Sequence, residues 1–114
     1  MSNIEIYKSA DNQIKLQVNL DNETVWLTQQ QMSLLFNQTK QNISLHINNC
    51  FKEGELRKDS VFKESLTTAL DGKNYKTKYY NLDVITSVGY RVKSKQGTAF
   101  RQWATQKPKE ILAL

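Results

Sequence analysis

Residues 28–49 read TQQQMSLLFNQTKQNISLHINN, and the pattern of this stretch predicts two consecutive helices. Thr28 and Gln31 fit a capping box, in which the Thr hydroxyl and the Gln side chain satisfy each other's free backbone amides. The first helix is expected to end at Asn37, because asparagine tolerates the left-handed conformation. Its buried face is predicted from three apolar residues at helical spacing, Met32, Leu35 and Phe36.

The second helix is predicted to start with Thr39 as N-cap and to end at Gly54. Four residues at i, i+4, i+7 and i+8 form one apolar stripe: Ile43, Ile47, Cys50 and Phe51. The opposite face carries polar side chains, namely Lys40, Gln41, Asn42, Ser44, His46 and Asn49.

The offsets within these two helices fit a helix-turn-helix motif. The features it needs are a small residue in the first helix, a turn residue tolerating positive φ, a cap and an apolar anchor, supplied by Ser33, Asn37, Thr39 and Ile43. The pattern departs at His46, where a second anchor is common, and Ile47 is expected to replace it. The alternative is a plain helical hairpin packed on a sheet.

Strands are predicted on both sides of the helix pair. Period-two alternation, with an Ala10-Asp11-Asn12 turn, predicts an N-terminal hairpin whose buried face includes Ile4, Ile6, Ile14, Leu16, Val18 and Leu20. Residues 25–27 indicate a third strand or a packed entry to the helix. Residues 62–70 and 75–80 predict a second hairpin around Asp71-Gly72.

Two further helices are predicted after this hairpin, with Asn81 and Thr98 as their caps and Pro108 ending or kinking the second. The fold class is therefore α+β. We expect one winged helix-turn-helix-like DNA-binding domain over residues 1–114, with an N-terminal β-hairpin, a central β-hairpin wing and two C-terminal helices.

Charge is unevenly distributed in this 114-residue chain of net charge +5 and pI near 9.4. Residues 1–51 hold 3 Lys/Arg and 4 Asp/Glu, whereas residues 52–114 hold 13 Lys/Arg and 7 Asp/Glu. The basic half favours a polyanionic partner, and nucleic acid is the commonest. A solvated basic surface is the alternative.

If the motif is a helix-turn-helix, its second helix meets base edges and the rest of the domain contacts phosphates. The candidate base-reading residues are Lys40, Gln41, Asn42 and Ser44, of which the two amides favour adenine. The candidate DNA-backbone residues are Thr39, His46, Asn49, Lys73, Lys76, Lys78, Arg91, Lys93, Lys95 and Arg101.

Other classes of protein have little support in the sequence. Cys50 and His46 are the single cysteine and histidine, so a Cys-based zinc site is excluded and no metal or cofactor is expected. No catalytic constellation is visible, and we expect no enzyme. The chain has no membrane-spanning run and no signal-peptide layout, which predicts a cytoplasmic protein.

Four segments carry a family resemblance: YNLDVITSVGYRV at 80–92, SKQGTAFRQWA at 94–104, WLTQQQM at 26–32 and DGKNY at 71–75. The chain resembles the RhuM family, often called virulence RhuM proteins, and is more distantly similar to the Bro-N and KilA-N domains of phage antirepressors. The resemblance implies a bacterial, mobile-element DNA-binding domain. Its members usually continue further, so a truncated or naturally short form is expected.

Two functions follow as expectations. The first is sequence-preferring binding of double-stranded DNA, used in transcriptional regulation, with a homodimer through the last helix as a candidate assembly. The second is an antirepressor-like module that binds a protein partner and has no direct contact with DNA.

Overall fold

The structure is a computed structural model that describes residues 3–21, 24–54, 56, 62–68 and 70–112. Within this part of the chain, five strands and four helices follow one another. They are β1 (Asn3–Lys8), β2 (Lys15–Asp21), β3 (Thr24–Thr28), α1 (Gln29–Phe36), α2 (Lys40–Lys52), β4 (Phe62–Thr68), β5 (Asn74–Asn81), α3 (Leu82–Val92) and α4 (Lys95–Leu112).

The strands form one antiparallel sheet in the order β1-β2-β3-β5-β4. The chain leaves this sheet after β3, forms the α1–α2 pair, and returns through the β4–β5 hairpin, whose second strand pairs with β3. The predicted α+β class is confirmed, together with the N-terminal hairpin, the central hairpin and the two C-terminal helices. Residues 25–27 lie in a strand, the first of the two predicted alternatives.

The core lies between one sheet face and the inner sides of the helices. All predicted apolar positions of α1 and α2 are buried or packed against this core. The sheet contributes Tyr7, Leu16, Val18, Leu20, Val25, Leu27 and Tyr80. Helix α4 is anchored by aromatic contacts, because the Phe100 and Trp103 ring centroids lie 5.0 and 5.2 Å from that of Tyr7.

The predicted buried face of β1 is wrong. Ile4 and Ile6 are 59% and 42% exposed, whereas Tyr7 is buried. The cause is the pairing register, since residues directly opposite each other share one face of a sheet. Tyr7 lies opposite Leu16, which faces the core, and Ile6 lies opposite Gln17, which does not. Both faces of β1 carry hydrophobic side chains, Ile4 and Ile6 on one and Tyr7 on the other, so alternation within this strand does not identify the buried face.

Helix caps were predicted well, with one exception. The capping box at the start of α1 is present, and the Asn81 side chain accepts hydrogen bonds from the Asp83 and Val84 amides. The predicted Thr98 cap is wrong, because α4 begins at Lys95 and the Ser94 hydroxyl accepts from the Gly97 amide at 3.3 Å. A serine directly after the left-handed residue Lys93 offers the earlier start.

Of the two effects predicted for Pro108, ending the last helix is wrong, because α4 continues to Leu112. A proline removes one backbone donor and distorts the turn before it, but helical residues after it keep their own hydrogen bonds.

Candidate nucleic-acid interface

The α1–α2 pair is joined by a three-residue turn, residues 37–39, with Asn37 in the left-handed conformation at φ 53°. The Gln38 amide donates to the Ser33 carbonyl at 3.0 Å and the Asn37 amide donates to the Leu34 carbonyl at 3.4 Å. These bonds satisfy carbonyl groups at the end of α1. The predicted left-handed end of α1 at Asn37 and the predicted N-cap of α2 at Thr39 are both present.

A side-chain hydrogen bond that the sequence did not indicate fixes the start of α2. The Gln29 Nε2 donates to the backbone carbonyl of Lys40 at 2.8 Å, across the two helices. The Thr39 Oγ1 accepts from the Asn42 amide at 3.1 Å, as expected for the N-cap. The first turn of α2 is therefore held both by its own cap and by the first helix.

The candidate base-reading residues lie on this first part of α2. Lys40, Gln41 and Asn42 are exposed and Ser44 is half-buried. The Asn42 Nδ2 donates to Gln38 Oε1 at 3.3 Å, and this bond must be replaced before Asn42 can pair bidentately with a base.

Further along α2, His46 and Asn49 are half-buried, and Leu45 is 56% exposed although it is apolar. Leu45 was missed by sequence reasoning, which searched this helix face for polar residues only. The sequence did contain a signal for it, because Leu45 is an apolar residue that lies outside the predicted apolar stripe of α2. An outward apolar side chain suits contact with the methyl group of thymine.

The central hairpin projects beyond the rest of the sheet. The last residue of β3, Thr28, pairs with Tyr79, so residues 74–78 of β5 continue past the end of β3. At about 3.4 Å per residue, the two-stranded ribbon extends about 17 Å further. It projects at the end of β3 where α1 begins. The hairpin and α1 thus leave the sheet from the same end.

The tip of this hairpin is ordered by Asp71. Its carboxylate accepts from the Lys73 amide at 2.9 Å and from the Tyr75 hydroxyl at 2.9 Å. These two hydrogen bonds hold the pKa of Asp71 below its ordinary value. Gly72 follows with φ 80°, a conformation that glycine adopts without strain.

The three candidate lysines of the hairpin, Lys73, Lys76 and Lys78, are exposed, but their surroundings differ. Lys73 lies at the tip. Lys76 lies opposite the exposed Leu66, and Lys78 lies opposite Glu64. A carboxylate directly across the strand offsets part of the Lys78 charge, so Lys73 and Lys76 are the stronger candidates for contact with phosphate.

The remaining candidate cations separate into two places. The Arg91 guanidinium donates to the Glu53 carboxylate at 2.5 Å, which ties α3 to the end of α2. Lys93, Lys95 and Arg101 instead line one groove where α3 meets α4. All four residues were predicted to contact phosphate. In the structure, Arg91 instead forms an internal ion pair with Glu53.

The tyrosines of β5 have three different environments. Tyr80 is buried, and this burial, with the charge of Glu64 as a second cause, raises the pKa of its hydroxyl. Tyr75 is 49% exposed and Tyr79 is half-buried on the opposite sheet face. Tyr80 is therefore a core residue whose position is explained by packing.

Across the ranges that the structure describes, no group of three His, Cys, Asp or Glu side chains is placed to hold a metal ion. No helix among the described residues is long and apolar enough to span a membrane.

The fold and the site define an α+β domain with a capped helix pair and a projecting basic hairpin. Residues 60–113 match the model of the virulence protein RhuM family, which confirms the predicted resemblance to that family over this part of the chain. The matched segment contains β4, β5, α3 and the whole of α4, and the α1–α2 pair lies before it. No curated protein and no solved structure showed a significant match to the chain.

Proposed function

We propose that this domain binds double-stranded DNA with a sequence preference and acts in transcriptional regulation. The first half of α2 enters the major groove, and the β4–β5 hairpin lies along the phosphate backbone as a wing. The observation that carries the proposal is the joint placement of the two parts. The helix pair begins with α1 at the end of the sheet from which the basic ribbon projects, and its second helix, α2, is capped and exposes the amides.

The chemistry of each part supports a separate role. Exposed Gln41 and Asn42 suit bidentate pairing with adenine, and Lys40 suits guanine or phosphate. Lys73 and Lys76 on the wing supply charge without reading sequence. A helix-turn-helix pair followed by a two-stranded basic hairpin is the layout of a winged-helix domain.

The test is selection of a preferred duplex followed by anisotropy titrations across a salt series. Asn42→Ala is expected to reduce the preference for the selected duplex over random duplex by about 1–3 kcal/mol. Lys76→Ala is expected to weaken both duplexes alike and to lower the salt slope by about 1. Asn48→Ala, an exposed amide later on α2, is the matched control. Unchanged preference in both Asn42→Ala and Gln41→Ala would contradict the proposal.

A second candidate function is favoured by exposed apolar side chains of β1 and α1. Exposed Ile4 and Leu34 line a depression together with Gln17 and Tyr79, and Ile6 is a further exposed apolar residue of β1. An exposed apolar patch of this kind is typical of a protein-interaction surface. Under this alternative, the domain binds a protein partner, as an antirepressor does, and nuclease treatment leaves the complex intact.

A further inference from the structure

The groove between α3 and α4 has a volume of about 280 Å³ and is formed by a close helix contact. Gly89 and Gly97 face each other over the ring of Phe36. A methyl group added at Gly97 would lie 2.8 Å from Phe36 Cε1 of α1 and 3.6 Å from Gly89 Cα of α3, so a larger residue there would collide with the Phe36 ring. The two glycines thus let α3 and α4 approach each other closely above Phe36, and both line the groove.

The rim of the groove is cationic. Lys93, Lys95 and Arg101 line it, and no carboxylate is among the lining residues that the structure describes. The Ser94 hydroxyl, also in the lining, accepts from the Gly97 amide and keeps its own O–H to donate. A ligand in this groove therefore meets three positive charges and a hydroxyl donor, which is a set suited to phosphate.

An exposed aromatic ring stands beside these cations. Tyr90 is 69% exposed. The Arg101 guanidinium carbon lies 5.8 Å from the centre of the Tyr90 ring, and its Nη1 donates to the Tyr90 hydroxyl at 3.0 Å. An aromatic side chain paired with arginine at a basic surface is the arrangement on which unpaired bases stack.

We propose that this groove binds one nucleotide unit, with its phosphate on Lys93, Lys95 and Ser94 and its base against Tyr90. Inorganic phosphate would use the cations but would make no contact with the Tyr90 ring, and an acidic peptide needs no aromatic surface to bind them. The nucleotide unit has two sources, a free mononucleotide or a nucleotide of a single strand. The site lies outside α2 and the wing, so it does not depend on the proposed duplex binding.

The test is fluorescence anisotropy of a labelled thymidine pentanucleotide with the full chain, followed by competition. Thymidine monophosphate that competes within about tenfold of the unlabelled pentanucleotide identifies the free nucleotide as the source. Competition by the pentanucleotide alone identifies the strand. Inorganic phosphate that competes as well as thymidine monophosphate would overturn the proposal, because the base would then contribute nothing.

Variants locate the binding. Lys93→Asn with Lys95→Gln is expected to weaken the pentanucleotide about tenfold or more, and Tyr90→Leu about tenfold. Tyr90→Phe keeps the ring and should bind within about threefold of the unchanged chain. Lys73→Asn with Lys76→Gln removes the same charge from the wing and serves as the matched control. Equal losses in the two double variants, or full binding by Tyr90→Leu, would overturn the proposal. Thermal unfolding verifies that each variant is folded.

Discussion

Two helix pairs of this domain are closed by the same backbone turn. In the α1–α2 pair, Asn37 is left-handed at φ 53° and the next amide donates back to Ser33. In the α3–α4 pair, Lys93 is left-handed at φ 54° and the next amide donates back to Gly89. A hydroxyl residue caps the second helix in both, at Thr39 and Ser94.

The surfaces of the two pairs differ although their turns agree. The first pair exposes amides, and its partner helices are tied by the hydrogen bond from Gln29 to Lys40. The second pair exposes cations and brings its helices together through glycines. The same backbone turn therefore supports two different surfaces. The amides of the first pair suit base edges, and the cations of the second pair suit phosphate. Phe36 lies at the junction, at the end of α1 and beneath both glycines.

The largest expected effect comes from removing this shared support. Phe36→Ala should lower the free energy of unfolding by about 3–5 kcal/mol, because it deletes a buried aromatic ring and leaves a cavity. Urea denaturation monitored by circular dichroism measures it. If the two pairs are independent units, the variant will unfold in two steps; a single transition shows that they unfold together.

A smaller effect on the free energy of unfolding is expected from alanine substitutions at Gly97 and Gly89, and the two should differ. Gly97→Ala should destabilise by about 1–3 kcal/mol, because its methyl group would overlap the buried Phe36 ring. Gly89→Ala places its methyl group 3.4 Å from that ring and also gains helix propensity of about 1 kcal/mol. We expect Gly89→Ala to be near neutral. Equal melting shifts in the two variants would contradict the close contact at Gly97.

The smallest effect concerns the left-handed residues themselves. Lys93→Asn should stabilise the domain by about 0.5 kcal/mol, and Asn37→Lys should destabilise it by a similar amount, because asparagine occupies this conformation at lower cost. Thermal melts of the two variants and of the double exchange measure the effect. Additive shifts are expected if the two turns do not share contacts.

Local signals explain most of the successful fold predictions. The caps at Thr28, Thr39 and Asn81 and the left-handed end at Asn37 involve neighbours within a few residues, so the sequence contains the whole interaction. The apolar stripe of α2 was predicted for the same reason. The cap of α4 was misplaced because Ser94 and Thr98 both offer a hydroxyl, and the left-handed Lys93 decides between them.

The candidate site was predictable in composition and less so in arrangement. Lys40, Gln41 and Asn42 are exposed on α2, as their helical spacing implied. Sequence reasoning could not tell Arg91, which pairs with Glu53 from another element, from Lys93 and Lys95, which line the groove. Pairing between residues 38 positions apart depends on how the helices pack.

The sequence by itself determined the α+β class, the capped helix pair, the two hairpins and the basic second half. These features depend on short-range spacing, turn chemistry and charge, each of which is complete within a few neighbouring residues. Only the tertiary structure decided which face of β1 is buried, how far the wing projects beyond β3, and which cations share a groove with Tyr90. Strand register and helix crossing bring together residues that are distant in the chain, and no local pattern records those distances.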